Sequence, residues 1–425
     1  MAFARRISGR RAAGIASQGR PWHFRTSAGI DFSGLPVLHT CDFVIFLAGQ
    51  QTSASQYCTA KGDRIMVRML RKAGTIALMA GALLAASCSK APDASSNPKT
   101  EFNIGWSIYA GWMPWPYAQQ AGIVKKWADK YGIKINIVQV NDYVESVNQY
   151  TAGKFDGVTV TNMDALTIPA AGGKDTSAII VGDYSNGNDG IVLKGADQFA
   201  AIKGRQINLV ELSVSHYLLA RGLEKAGMKP TDIKTVNTSD ADIVGAFGSP
   251  DVNAAVAWNP QLSVMKGLAG AKEVFSSAQI PGEILDLLVV DTATIKANPN
   301  LGKALAGIWY ETLALMKRQD AKGKEARATM AKLSGATPAD FDSQLTTTYL
   351  YSDPKAAVAA TTAPALVKTM TQVRDFSFSH GLFKGAASAD AVGMGFPGGK
   401  TLGDAQHVTL RFDDSFMKMA VDGAL

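Results

Sequence analysis

The sequence predicts an α/β protein of two lobes. From Glu101 onward, short β-type runs alternate with amphipathic helical stretches, the pattern of a largely parallel sheet covered by helices. The alternation then restarts near Gln206, so that a second strand-rich unit lies enclosed within the first. With 425 residues, 47% hydrophobic content and a mean hydropathy near zero, the chain holds enough apolar material for one large or two medium cores.

The first lobe opens with the strand FNIGW (102–106), and Pro114 and Pro116 suit the first turn of a helix running to Tyr131. The strand IKINIVQV, a helix over 142–152, the strand GVTVT and a helix from Asn162 follow, and SAIIVGD leads into GIVLK. The restart consists of QINLVEL (206–212), the helix of SHYLLARGLEKAG, the strand IKTVNT, a helix from Ser239, the strand NAAVAW and finally ILDLLVVD (284–291). Neither unit is long enough to be a complete alternating domain. Two lobes are therefore expected, over 101–190 with 285–425 and over 191–284, joined by GIVLK outward and ILDLLVV back. From the Asn298 region to His380 the pattern is almost wholly helical.

The net charge of +7 dissolves once it is divided along the chain. Residues 1–65 hold eight Lys/Arg and three Asp/Glu, and residues 66–87 hold three Lys/Arg and no acid, leaving 32 basic and 33 acidic residues for the remainder. A near-neutral body removes the case for a nucleic-acid partner. The three cysteines are Cys41, Cys58 and Cys88, so the body has no disulfide, thiol nucleophile or cysteine-ligated metal.

Residues 66–88 read MVRMLRKAGTIALMAGALLAASC, a basic head, an apolar stretch of about 14 residues and a small-residue run ending at Cys88. The stretch is too short for a permanent span of roughly 20 residues. It resembles a bacterial lipoprotein signal peptide with Leu84 to Cys88 as its lipobox, although the aliphatic residue stands one place further from the cysteine than usual. Cys88 is then expected to carry lipid; an ordinary cleaved signal with an incidental cysteine is the alternative. SKAPDASSNPKT completes a polar tether over 88–100. Residues 1–65 lack sustained periodicity and precede an export signal, so an upstream start codon is expected, with Met66 or Met69 as the true start.

The segments FNIGWSIYAGWMPWPYAQQAGIVKKW, TAGKFDGVTVTNMDAL, VELSVSHYLLARGLEKAGM and PGEILDLLVVD, in this order and spacing, resemble the nitrate/sulfonate/taurine (NMT1/THI5-like) class of ABC-transporter substrate-binding proteins. The resemblance implies the type II periplasmic-binding fold, a small solute held between the lobes, and delivery to a membrane permease served by a cytoplasmic ATPase. It also implies no catalysis, no cofactor and no metal, and a monomer is expected. Within the class, WMPWPYAQQAGI and NMDALTIPAAGG most resemble the binding proteins of urea transporters associated with urea or guanidine carboxylase systems.

Ligands of open α/β sheets sit beyond the carboxyl ends of strands, which selects the candidate residues. Ser107, Tyr109, Trp112 and Trp115 follow the first strand, and the two Trp offer flat walls for a planar ligand or a cation; one of them packing beneath the loop is the plainer role. Thr161, Asn162 and Asp164 follow GVTVT and open a helix, where capping by Asn162 or Asp164 competes with ligand contact. Glu211, Ser213, Ser215 and His216 occupy the corresponding turn of the second lobe, again with capping or a buried helix face as the alternative. Trp258 and Asn259 end NAAVAW, and Asp189, Glu283 and Asp286 lie beside the joining strands, as ligand contacts or hinge ion pairs.

Five of these residues are acidic and none is Lys or Arg, which favours a guanidinium-like cation or neutral urea over the nitrate, sulfonate or taurine bound elsewhere in the class. An enzyme related to thiamin-pyrimidine synthases is the other alternative. It needs a reactive His and a Cys-rich segment, yet beyond Cys88 the chain has only His216, His380 and His407 and no Cys. The glycines at 393, 395 and 398 match GxGxxG in spacing alone, with Pro397 inside and no preceding strand expected. A sensory binding protein that reports to a receptor kinase would use the same closure.

Overall fold

The structure, a computed structural model, describes residues 99–425 apart from Lys384. The upstream segment 1–65, the signal-like segment 66–87, Cys88 and most of the tether lie outside the described residues. Among the described residues no helix is long and apolar enough to cross a membrane.

Among the described residues, fourteen strands form two sheets. The first contains β1 (Glu101–Trp106), β2 (Lys134–Gln139), β3 (Gly157–Thr161) and β4 (Thr176–Ser185). The second contains β5 (Asp189–Lys194), β6 (Gln206–Leu209), β7 (Lys234–Asn237), β8 (Ala254–Trp258) and β9 (Ala271–Ser276). The chain then returns to the first sheet with β10 (Leu285–Asp291), β11 (Thr348–Leu350), β12 (Gly393–Phe396), β13 (Lys400–Leu402) and β14 (Val408–Phe412). The strand order is β13-β12-β14-β4-β10-β3-β1-β2, with β11 on β4, in the first sheet and β7-β6-β8-β5-β9 in the second.

Both sheets are mixed, where a largely parallel arrangement was expected. β1 pairs in parallel with β2 and β3, but β10 runs antiparallel to both β3 and β4, and β5 antiparallel to β8 and β9. These are the strands that lead out of and back into the lobes, so their direction is set by the crossing and not by a helical return. GIVLK and ILDLLVV do not themselves cross: β5 lies wholly in the second sheet and β10 wholly in the first. The passages are Asn186 to Asn188 and residues 277–284.

β3 and β10 are buried on both faces, which is why they read as continuous apolar runs. Gly157 permits their close approach, since a Cβ there would stand 2.7 Å from the Val289 carbonyl oxygen. The C-terminal helices, from Pro299–Met316 to Pro364–Ser379, are followed by β12 to β14, which extend the edge of the first sheet beside β4. Gly393 and Gly395 therefore sit inside a strand, where no strand was expected, and the glycines do not form a strand-to-helix turn. The helix expected over 114–131 is two helices, Pro114–Gln120 and Ile123–Lys130, broken at Gly122 with its φ of 75°.

Candidate functional site

A small cavity lies where the carboxyl ends of β1, β3 and β8 meet the joining segments. It is lined by Tyr109, Trp112, Tyr143, Thr161, Asp189, Val214, Trp258, Ile284 and Asp286, and its volume is only about 10 Å³, so the walls stand close around it. Six of the nine are among the residues selected from the sequence: Tyr109, Trp112, Thr161, Asp189, Trp258 and Asp286.

Four aromatic rings form a continuous wall. Tyr109 meets Trp112 edge-on at 5.0 Å between centroids, Trp112 leans on Tyr143 at 5.8 Å, and Tyr143 meets Trp258 edge-on at 5.5 Å. Such contacts hold the rings in place.

Against this wall stand buried carboxyls. Asp189 is fixed by Ser185, whose Oγ donates to Oδ2 at 2.5 Å, and burial followed by the charge of Asp164 pushes its carboxyl up to about 7. Asp286 faces the cavity from β10, directly opposite Asp183 of β4 in the register of the sheet. Burial raises both above the ordinary carboxylate range, joined at Asp286 by the charge of Asp183 and at Asp183 by that of Asp189. Tyr109 Oη donates to Asp183 Oδ1 at 2.8 Å. No Lys, Arg or His is among the residues lining the cavity.

Two further carboxyls occupy helix N-termini at the rim. Asp164 Oδ2 accepts from Tyr143 Oη at 2.7 Å and Thr161 Oγ1 at 2.9 Å, and from the backbone N–H of Val214 at 3.4 Å, the first residue of the helix Val214–Lys225. Burial pushes it up to about 6 despite these donors. Asp240 Oδ1 accepts from the N–H of Tyr143, the first residue of the helix Tyr143–Thr151, at 3.0 Å. Both bonds run between the lobes, as do Ala110 N–H to the Asn259 carbonyl at 3.3 Å and Trp258 Nε1 to the Ile108 carbonyl at 3.3 Å. The lobes are thus closed on each other.

The other residues selected from the sequence do not line the cavity, and all but Ser107 and Ser215 have a visible structural task or another location. Trp115 stacks on Trp309 at 5.2 Å in the core beneath the loop. Asn162 clamps the returning segment, donating to the Glu283 carbonyl and accepting from Leu285 N–H at 3.1 Å each. Glu283 is held by Arg221, with contacts of 2.7 and 3.0 Å, and by Tyr217 Oη at 2.7 Å. Ser213 caps the helix it precedes through the N–H of Ser215, and the side chains of Ser107 and Ser215 are buried without a partner. Asn259 accepts from the Ser263 hydroxyl at 2.6 Å. Glu211 faces a separate groove, and His216 packs against Phe376 and His380, burial and His380 lowering its pKa. Asp183 and Tyr143 escaped the sequence reading because each lies inside an ordinary apolar strand or helix pattern; only the unpaired acid within SAIIVGD offered a signal.

The lobes, the crossing segments and a closed cavity between them define the periplasmic-binding-protein class of fold. The family model described as NMT1/THI5 like matches residues 119–314. Among solved structures, the chain is similar to the periplasmic aliphatic sulphonate binding protein of Escherichia coli, with a TM-score of 0.57 at 18% identity over 74% of this chain and 98% of that one. It is also similar to the alkanesulfonate-binding protein of Xanthomonas axonopodis pv. citri bound to MOPS, with a TM-score of 0.56 at 19% identity over 68% and 96%. In sequence, a protein of Brucella abortus (strain 2308) named as a binding protein is 32% identical over 102 residues, 24% of this chain and 31% of its own length. The taurine-binding periplasmic protein of Escherichia coli (strain K12) is 28% identical over 107 residues, 24% of this chain and 32% of its own. The alignments span about a third of the length of these relatives.

Proposed function

We propose that this protein is the extracytoplasmic solute-binding component of an ABC importer, and that its solute is a guanidinium-like cation, with neutral urea as the closest competitor. The observation that carries the reading is the pairing of an aromatic wall with buried carboxyls in a cavity lined by no basic side chain. A planar cation stacks on the rings and donates to Asp189 and Asp286, each charge-assisted bond contributing about 1.5–3 kcal/mol. An anion of the kind named for the relatives would face the same carboxyls unpaired. The two helix N-termini that would attract it already hold Asp164 and Asp240.

The test is a thermal-shift and calorimetric panel of guanidinium, urea, small amides, nitrate, taurine and short sulfonates against the purified protein. A ligand at one hundred times its dissociation constant stabilises by about 2.7 kcal/mol. Guanidinium giving the largest shift supports the reading; nitrate or taurine shifting the melt while guanidinium and urea do not would end it.

We propose further that Cys88 carries lipid and tethers the protein to the outer face of the cytoplasmic membrane, where the permease would receive the solute. The order of residues 66–88 supports this. Cys88→Ala then releases the protein from the membrane fraction, whereas unchanged fractionation would count against the anchor.

A further inference from the structure

We infer that Asp183 and Asp286 together form the charge filter of this site: they share one proton in the empty cavity and surrender it when a cation docks on Asp286, so that guanidinium enters in exchange for a proton. This rests on the guanidinium reading above and assigns a residue, Asp183, that does not line the cavity.

The geometry leaves little alternative for the pair. Asp183 and Asp286 are direct cross-strand neighbours in an antiparallel ladder, where two like charges are unfavourable, and both are buried. Burial and the charge of Asp183 hold the Asp286 carboxyl well above the ordinary carboxylate range. Tyr109 serves Asp183 Oδ1, but Asp183 Oδ2 is fully buried and has no donor while both carboxyls are ionised. The space beside it is closed, since a Cβ on Gly111 would stand 2.7 Å from that oxygen. A proton on Asp286 directed at Asp183 satisfies the orphaned oxygen and removes one charge in a single step.

The titratable groups that bear on the pair from the surrounding elements are Tyr109 in the loop after β1, Asp189 on β5 and Tyr351 just beyond β11. All are acidic or phenolic, so none supplies the missing positive charge. Cation entry does. The Asp286 O–H bond breaks, its proton leaves to buffer, and the carboxylate accepts an N–H of the guanidinium, leaving the net charge of the site unchanged. Neutral urea brings no charge and requires no proton to leave; the Asp286 O–H can instead donate to its carbonyl. The pair thereby separates the two solutes by pH: guanidinium gains with rising pH while urea does not.

Calorimetry of guanidinium chloride at millimolar concentration, in phosphate and in Tris at pH 7 and with the affinity followed from pH 5.5 to 8.5, tests this. The expected result is a binding heat that differs between the buffers in proportion to their ionisation enthalpies, an affinity for guanidinium that rises several-fold to tenfold per pH unit at the acid end, and no such rise for urea. Asp183→Asn offers Asp286 an amide donor, so it lowers the number of protons released per guanidinium and flattens the pH profile; the proton of Asp189 remains as the residual release. Guanidinium binding with equal heats in both buffers and a flat profile would overturn the inference while sparing the parent reading. Absence of guanidinium binding at every pH would instead defeat the parent reading. Should Asp183→Asn fail to fold, the two-buffer comparison is made on Asp189→Asn, which lacks the other proton source: release that persists there belongs to the pair, and equal heats in both buffers would overturn the inference.

Discussion

Replacing Asp189 by asparagine should make the empty protein more stable at pH 8 and a poorer receptor at the same time. The carboxyl is buried, its pKa is pushed up to about 7, and burial is the leading cause. In the unfolded chain it titrates near 3.9. Below about pH 4 both states are protonated and the residue costs nothing. Between 4 and 7 the folded protein holds a proton that the unfolded chain has released, so stability falls as pH rises, by about 1.4 kcal/mol per unit. The loss is complete above 7, where it totals on the order of 4 kcal/mol. The neutral amide of the variant avoids that loss, accepting the Ser185 hydroxyl through its oxygen. Over the roughly 330 described residues, 1 kcal/mol corresponds to about 1.5 °C in Tm. Asp189→Asn is therefore expected to melt up to about 6 °C higher at pH 8 and within about 1 °C of the parent at pH 4. Affinity for guanidinium should fall about 10- to 100-fold through the lost charge-assisted bond. Scanning fluorimetry across pH and calorimetry measure both. A variant that melts lower than the parent at pH 8, with affinity intact, would refute both the burial argument and the placement of the ligand.

The paired tryptophans separate site from core. Both are buried, so Trp112→Ala and Trp115→Ala should each cost about 3–5 kcal/mol of stability, but only Trp112→Ala should also cost tenfold or more in the affinity of the folded fraction; calorimetry beside a melting curve reads the difference. Arg221→Ala strands Glu283 at the return crossing with Tyr217 as its remaining donor and should cost about 2–3 kcal/mol, less than for a fully buried pair because both side chains keep some exposure. Heat is the proper denaturant here, since urea and guanidinium are themselves candidate ligands, and an unchanged Tm would show that the crossing does not depend on this ion pair.

Much of the fold was legible because its signals are local. Val and Ile runs bounded by turns mark β3, β5, β8 and β10, and Asp142, Thr161 and Ser213 each cap the helix that the pattern placed after them. The direction of β10 was not legible, since a strand buried on both faces reads identically whichever way it runs. Nor were β12 to β14, whose residues Gly393 to Phe396 have neither the length nor the alternation of a strand and are held by β14 and β4 from elsewhere in the chain. In the site, residues at strand ends could be selected by position, but Asp164 as a cap and Asp189 as a cavity wall look the same in sequence. What separates them is the cross-lobe N–H of Val214, a contact between residues fifty positions apart.

That contact also bears on the charge of the cleft. Helix N-termini directed into the cleft carry partial positive charge and unpaired N–H groups, so an empty cleft of this architecture is biased toward anions. Here the bias is cancelled from within. Asp164 sits on the start of the helix Val214–Lys225 and Asp240 on that of Tyr143–Thr151, and each reaches across from the opposite lobe. These carboxyls stand where a ligand anion would otherwise sit, and they stitch the closed lobes together by the same bonds. Asp189 and Asp286 then reverse the sign of the remaining space. Closing the cleft over these carboxyls in their ionised forms buries more negative charge than the helix ends can compensate, which is why burial raises Asp164, Asp189 and Asp286 above the ordinary carboxylate range. On the guanidinium reading proposed above, a cation would resolve that imbalance and couple the free energy of closure to the charge of the solute.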